Sequence, residues 1–287
     1  MNRKVLETMK KLAFLLIFQL LWCGLAQAFF LTVIQDEGKG FALKGKETFW
    51  LLFRSEPFQG IIYDLKAPRA YVILPDGKKE PVALRRTKIF DHARGEKRYA
   101  WVAHYLPAQK GDHFLILETE PTLVPGLNEV WQEYVKVPFH ISYGRAWEKT
   151  LSLPAEIVFL SQPYGLEEGA LLRGKVLLQG KPMPRALVQV VPYHGHYLRP
   201  KDLPRNAFGE IEASRMYQSA LTAENGAFAV TLPRAGWWLI SARLPFGNYK
   251  IGELTYPLFL RASTWIYVFP RFKLPENAPR LEAEPYK

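Results

Sequence analysis

Glu133-Tyr134-Val135-Lys136-Val137-Pro138-Phe139-His140-Ile141 decides the fold. Val135, Val137 and Phe139 recur at every second position, and side chains two apart on an extended strand share a face. The pattern repeats outward from this stretch. Residues 48–54 set Phe49, Leu51 and Phe53 on one face, and residues 98–105 do the same with Tyr99, Trp101 and Ala103. Residues 70–74 stop at Pro75-Asp76-Gly77, and Lys110-Gly111-Asp112 precedes residues 113–119; both tripeptides are turn signatures. No segment beyond the first 28 residues carries a long helical period. Residues 29–152 therefore read as one β-sandwich of short strands.

Residues 153–169 read as a connector, with Pro154, Pro163 and two glycines around a short apolar run at 157–160. A second alternating block follows over 170–270. It contains Leu172, Val176 and Leu178, then Val188 and Val190, then Phe228, Val230 and Leu232. Trp238, Ile240, Ala242 and Leu244 continue the pattern, and 264–269 is the last strand expected. Asn225-Gly226 supplies the positive φ angles of a tight hairpin turn. Residues 194–217 lack periodicity and are long for a loop in a compact domain, which points to a functional segment or a short helix. The tail, 271–287, is rich in proline and charge and is expected to be loosely held.

Composition agrees with an all-β chain. Aromatic residues make up 14% of the sequence, and they suit the half-buried surface of a sheet. Twenty glycines and 22 prolines imply many turns. The first 28 residues set the compartment. Arg3, Lys4, Lys10 and Lys11 precede the apolar run 12–25, which ends at Ala26-Gln27-Ala28. This is the pattern of a secretory signal peptide cleaved after Ala28, and it implies an exported, periplasmic protein. An uncleaved anchor is the alternative, although the run is short for a bilayer span. The one cysteine, Cys23, falls inside this segment, so a mature chain could form no disulfide and must rely on core burial. Net charge is +11, of which residues 1–28 hold +3. The rest is spread along the chain. That favours a solvated basic surface, with possible contact to an acidic envelope, over a nucleic-acid arm.

Three stretches carry a family resemblance: Glu156-Ile157-Val158-Phe159-Leu160-Ser161-Gln162-Pro163-Tyr164-Gly165-Leu166, Arg173-Gly174-Lys175-Val176-Leu177-Leu178-Gln179-Gly180-Lys181-Pro182-Met183-Pro184, and Ala223-Glu224-Asn225-Gly226-Ala227-Phe228 with Pro233-Arg234-Ala235-Gly236-Trp237-Trp238. In this order they resemble the exported bacterial domain-of-unknown-function family, number forty-one ninety-eight, associated with nickel and cobalt uptake. The second half alone resembles carboxypeptidase-regulatory-like, transthyretin-like sandwiches. The resemblance implies two tandem immunoglobulin-like or transthyretin-like β-sandwich domains. It also implies an accessory of divalent-metal uptake, with a metal-transporter membrane component as partner and nickel or cobalt as the ion. The sequence departs from the family at two expected imidazoles. The mature start would be Phe29-Phe30 rather than histidine, and Glu56-Pro57-Phe58 stands where His-Pro-Phe is expected.

Metal binding needs imidazole, carboxylate or thiolate groups that converge. His194-Gly195-His196 is the best local pair, because residues two apart on a strand point the same way. Glu56 is the third candidate ligand. Asp91-His92 and Asp112-His113 read more readily as solvated turn residues, His104 as a sheet histidine and His140 as exposed. The sequence contains no Gly-x-Ser-x-Gly, His-Glu-x-x-His or phosphate-loop motif, and Glu167-Glu168 would point to opposite faces of a strand. The expectation is a non-enzymatic binding protein. The alternative to the metal accessory is a metal-free envelope module that contacts glycan, cell wall or a membrane partner through aromatic side chains. Trp131 and Trp147 are its most exposed candidates.

Overall fold

The structure, a computed structural model, describes residues 29–124, 126–275 and 277. The expected signal peptide lies outside them. The described residues are built from strands and turns, with two short 3-10 turns and no α-helix among them. The first ten strands are β1 (Phe30–Ile34), β2 (Thr48–Glu56), β3 (Ile61–Tyr63), β4 (Arg69–Ile73), β5 (Lys79–Pro81), β6 (Ala83–Asp91), β7 (Glu96–Tyr105), β8 (Gly111–Glu118), β9 (Thr122–Val124) and β10 (Glu129–Ile141). The remaining nine are β11 (Ala155–Phe159), β12 (Leu166–Glu167), β13 (Ala170–Leu178), β14 (Lys181–Pro182), β15 (Leu187–Tyr193), β16 (Gln218–Leu221), β17 (Ala227–Leu232), β18 (Gly236–Ile251) and β19 (Leu254–Phe269).

The strands form three sheets. A five-stranded sheet runs β1-β2-β7-β6 with β3 beside β2, and a four-stranded sheet runs β11-β13-β14 with β17 beside β13. Between them lies a ten-stranded sheet, β16-β15-β18-β19-β10-β8-β4-β5, with β12 and β9 at its margins. Strands from both sides of residues 153–169 share this central sheet. They meet where β10 and β19 pair in parallel, from Val130 opposite Leu258 to Val135 opposite Ser263. Ala155–Phe159, which falls inside the expected connector, is itself a buried strand of the four-stranded sheet.

Alternation along each central strand divides two cores. Val135, Val137 and Phe139 of β10 join Trp265 of β19 and Leu239 of β18 on one face, where Trp50 and Leu52 of the five-stranded sheet cover them. Ile116, Ile240 and Ile266 point to the opposite face, under Ile157, Leu172 and Val176 of the four-stranded sheet. A sheet covered on both sides reads as near-continuous apolar strands, which is the pattern of β8 and much of β10. Each fully buried large side chain contributes roughly 1.5–3 kcal/mol. Asn225-Gly226 makes the expected tight turn. Gly226 has φ +76°, and a Cβ there would lie 2.8 Å from the Val176 carbonyl oxygen.

One ion pair ties the central sheet to the four-stranded one. Lys136 Nζ of β10 lies 2.7 Å from Glu156 Oε1 of β11, and both side chains are 1% exposed. The ammonium also donates to the Lys149 carbonyl and sits over the Phe114 ring. Burial pushes the Lys136 amine below its usual pKa, and Glu156 opposes that shift. Glu156→Gln leaves the lysine buried without a counter-charge, which should cost ~3–5 kcal/mol. The loss will appear as a lower urea midpoint. The Lys136→Met/Glu156→Leu double variant should recover part of it; a double variant no better than the single one would contradict this account.

Candidate functional site

The face of the central sheet that meets β1 and β2 changes character toward the 129–133 end of β10. Arg243 of β18 lies opposite Arg261 of β19, and Arg261 lies opposite Glu133 of β10, so three charged residues form one row across the sheet. Trp131 precedes Glu133 by two and shares its face. The five-stranded sheet does not fill the space above this row. A hollow of about 400 Å³ remains, floored by Trp131, Arg243, Arg261 and Gln189. Phe30, Glu56 and Gln59 supply one wall, and Leu203, Met216 and Tyr217 supply the cover. The cover belongs to the 194–217 segment, whose role the sequence left open. That segment carries the two 3-10 turns, Pro200–Asp202 and Ala213–Arg215.

The segment is held against the turn that follows β2. Leu198 N–H donates to the Gln59 carbonyl at 2.8 Å, and the His194 ring stands edge-on to Phe58 at 4.7 Å. Gly60 permits the approach. It sits at φ +75°, and a Cβ there would lie 2.2 Å from the His196 carbonyl oxygen. Glu56 caps this turn, accepting from the N–H groups of Phe58 and Gln59. Burial pushes its carboxyl above the usual range, against those two hydrogen bonds.

The charged row is mostly enclosed. The Glu133 carboxylate accepts from Leu31 N–H and from Ser263 Oγ, each at 2.9 Å. Arg261 lies 3.8 Å from it, and its side chain is 4% exposed. Burial pushes the Arg261 pKa down to about 10, with Glu133 opposing. The Arg261 guanidinium lies between two rings, 4.3 Å from the centroid of Phe30 and 4.2 Å from that of Trp131. Arg243 pairs with Glu129, which also accepts from Trp131 Nε1 at 2.7 Å. A second, larger hollow of about 520 Å³ lies at residues 36–49. Of its charged side chains, Asp36 is exposed and Glu37, Lys46 and Glu47 are 84%, 65% and 56% exposed, so they are solvated and have little need of a ligand.

The residues expected from the sequence fall as follows. Glu56 lines the pocket wall, and His194 and His196 lie on the segment that closes it. His194 Nε2 is buried without a partner among the described residues, and burial pushes its imidazole below the usual pKa, helped by Arg234 and His196. His196 is exposed. Among the described residues, no three His, Cys, Asp or Glu side chains converge to hold an ion. Trp131 and Trp147 are half-buried, and Trp131 faces the pocket. Two histidine readings are corrected. His113 is not a solvated turn residue; it is fully buried on β8 and stacks on Phe139 at 5.0 Å. His140 is not free in solvent; it lies 2.7 Å from Asp112 Oδ1 and stacks on Tyr164. Asp112 and His113 are neighbours on a strand and face opposite ways, so they cannot chelate one ion. The sequence reading missed Arg243 and Arg261. Their signal was an arginine inside an otherwise apolar alternating run, a placement that is costly unless the charge is used or paired.

Residues 36–245 match the family described as Domain of unknown function (DUF4198). The chain belongs to this family. The DUF4198 match takes in β2 to most of β18 and every wall of the pocket except Phe30 and the β19 floor. No curated protein matches the sequence. Among solved structures, the Lin-41 filamin domain is 18% identical over 41% of this chain and 95% of its own, with a TM-score of 0.26. Salmonella alpha-2-macroglobulin reacted with methylamine is 13% identical over 85% of this chain and 15% of its own, at 0.25. A DUF4785 family protein from Legionella pneumophila is 11% identical over 75% of this chain and 52% of its own, at 0.27. The chain thus spans about half or less of the two longer proteins. All three scores fall below 0.5, too low to carry a shared function.

Gly60→Ala should detach the 194–217 segment from the 56–60 turn. Trypsin cleavage at Lys201, Arg205 and Arg215 should then run on the order of tenfold faster, as an opening cheaper by ~1.4 kcal/mol would give. An unchanged cleavage rate would show that the contact at Gly60 does not hold the segment.

Proposed function

We propose that this chain is an exported, periplasmic, non-enzymatic binding protein, and that the pocket above the Arg243–Arg261–Glu133 row is where it binds. The observation that carries the reading is the construction of that pocket. Its floor, wall and cover come from widely separated parts of the chain, and they leave about 400 Å³ open. That volume lies within the range of small-molecule sites, which combine apolar lining with a few placed polar groups. Leu203, Met216 and Val191 supply the apolar lining, and Gln59, Gln189 and the two arginines supply the polar groups. The signal-like segment at 1–28 supports export. In this reading the two halves are immunoglobulin-like and transthyretin-like sandwiches that share the central sheet.

The test uses untagged protein of residues 29–287 and the uncharged fluorescent probe N-phenyl-1-naphthylamine. Saturable binding near one probe per chain is expected. Met216→Trp, which fills the pocket, should weaken it, whereas Leu221→Trp at an exposed site should leave it unchanged. Absence of binding, or equal binding by the two variants, would refute the pocket as the site.

A second reading, the metal-uptake accessory acting with a membrane transporter, is favoured by one observation. The Phe58–His194 contact brings the histidine pair onto the turn that carries Glu56, and His194 Nε2 has no partner among the described residues. Both imidazoles fit nickel or cobalt as borderline donors. Glu56 fits less well, because its oxygens already accept from two backbone N–H groups. Calorimetric titration of the same protein with nickel and cobalt should give about one ion per chain, lost in the His194→Ala/His196→Ala variant. A titration without heat would end this reading.

A further inference from the structure

Arg261 lines the pocket floor, and it shares the Glu133 carboxylate with Arg54, which lies outside the pocket lining. Arg54 and Arg261 both feel Glu133 as their stabilising negative charge, and burial lowers the pKa of each despite it. Glu133 is already occupied by Leu31 N–H and Ser263 Oγ, and Arg261 remains beyond hydrogen-bond reach of it at 3.8 Å. Arg261 donates through Nη1 to the Phe29 carbonyl, while Arg54 Nε is buried without a partner among the described residues. The other carboxylates do not close the gap. Glu129 is committed to Arg243 and to Trp131 Nε1. Glu56 makes no ion pair with either arginine among the described residues, and its oxygens face its own turn.

Two guanidiniums, Arg54 half-buried and Arg261 enclosed, share one carboxylate, so the group carries a net positive charge that is costly to enclose unless it is paired. Phe30 and Trp131 offset part of that by cation–π contact with Arg261. Their position has a second effect. The guanidinium packs against both rings and donates its N–H groups in its own plane. A planar rim of N–H donors matches a carboxylate in bidentate geometry. A charge deficit of one suits a monoanion better than a phosphate monoester, which carries nearly two charges. Away from the arginines the lining turns apolar, with Leu127, Leu187, Leu203 and Met216.

We propose that the pocket selects a ligand with a carboxylate on an apolar body, the carboxylate meeting Arg261 and the body lying under the 194–217 segment. The proposal rests on the pocket being a binding site, and the experiment separates the two claims. N-phenyl-1-naphthylamine bound to untagged protein of residues 29–287 is displaced at pH 7.4 by decanoate, decanol or decylamine, and by acetyl-trileucine or its C-terminal amide. At least one acid should displace the probe at about tenfold lower concentration than its neutral counterpart, as a hydrogen bond to a charged group gives. Decylamine should be the weakest of the C10 series. A preference for decanoate assigns the site to lipid-derived acids, and one for acetyl-trileucine assigns it to peptide C-termini. Arg261→Met should bring the acid-to-neutral ratio to about one. If that variant does not fold, as judged by circular dichroism, the wild-type comparison stands alone. Probe binding with equal potency of acids and neutral counterparts would overturn this proposal and spare the pocket. Failure of the probe to bind would overturn both.

Discussion

The parallel pairing of β10 with β19 is the contact on which the rest of the structure depends. It brings residues 130–135 beside 258–263, strands more than a hundred residues apart in the chain. Parallel neighbours cannot be joined by a tight turn, and here every strand from β11 to β18 lies between the two. The pairing turns two sets of strands into one ten-stranded sheet. It buries that sheet on both faces, since each half brings its own covering sheet and the two cover opposite sides. It also places Arg261 directly between Arg243 and Glu133.

The pocket follows from that arrangement. The five-stranded sheet covers the central sheet where Val135, Val137 and Phe139 lie, and at the charged row its edge strand β1 reaches Glu133 through Leu31 and leaves the pocket beside Arg243. An apolar row left there would expose a hydrophobic floor. This chain instead has charge and aromatic rings on the floor and a segment of 24 residues, 194–217, folded over it. Buried ion pairs are weak sources of stability. The Lys136–Glu156 pair is well matched, with one cation, one anion and a carbonyl acceptor. The Arg54, Arg261 and Glu133 group is not matched in the same way. Residues that break the rules of a good core are expected where function outweighs stability.

Much of the fold was legible in local alternation. The faces of β2, β7, β10, β17 and β18 follow from residues two apart, and Pro75-Asp76-Gly77 and Asn225-Gly226 turn the chain as their chemistry requires. Alternation states which side chains share a face; it does not state which strand lies alongside. The β10–β19 seam therefore left no local mark. Residues 155–159 were too short to separate from a loop run by period alone, and flanking prolines masked an edge strand of the four-stranded sheet. His113 was misread because the preceding Lys110-Gly111-Asp112 suggested a turn, whereas β8 begins at Gly111. The candidate site was legible only in fragments. Glu56, Trp131 and the 194–217 segment were each singled out separately, and what assembles them is pairing across more than a hundred residues.

The most direct test of this account is calorimetric unfolding of the protein from residue 29 onward. If the β10–β19 seam makes one structural unit, both halves should melt together in a single transition, with the calorimetric and van't Hoff enthalpies equal. Two separated transitions would mean that the halves stand without the seam. The shared sheet, and the pocket built on it, would then lose their basis.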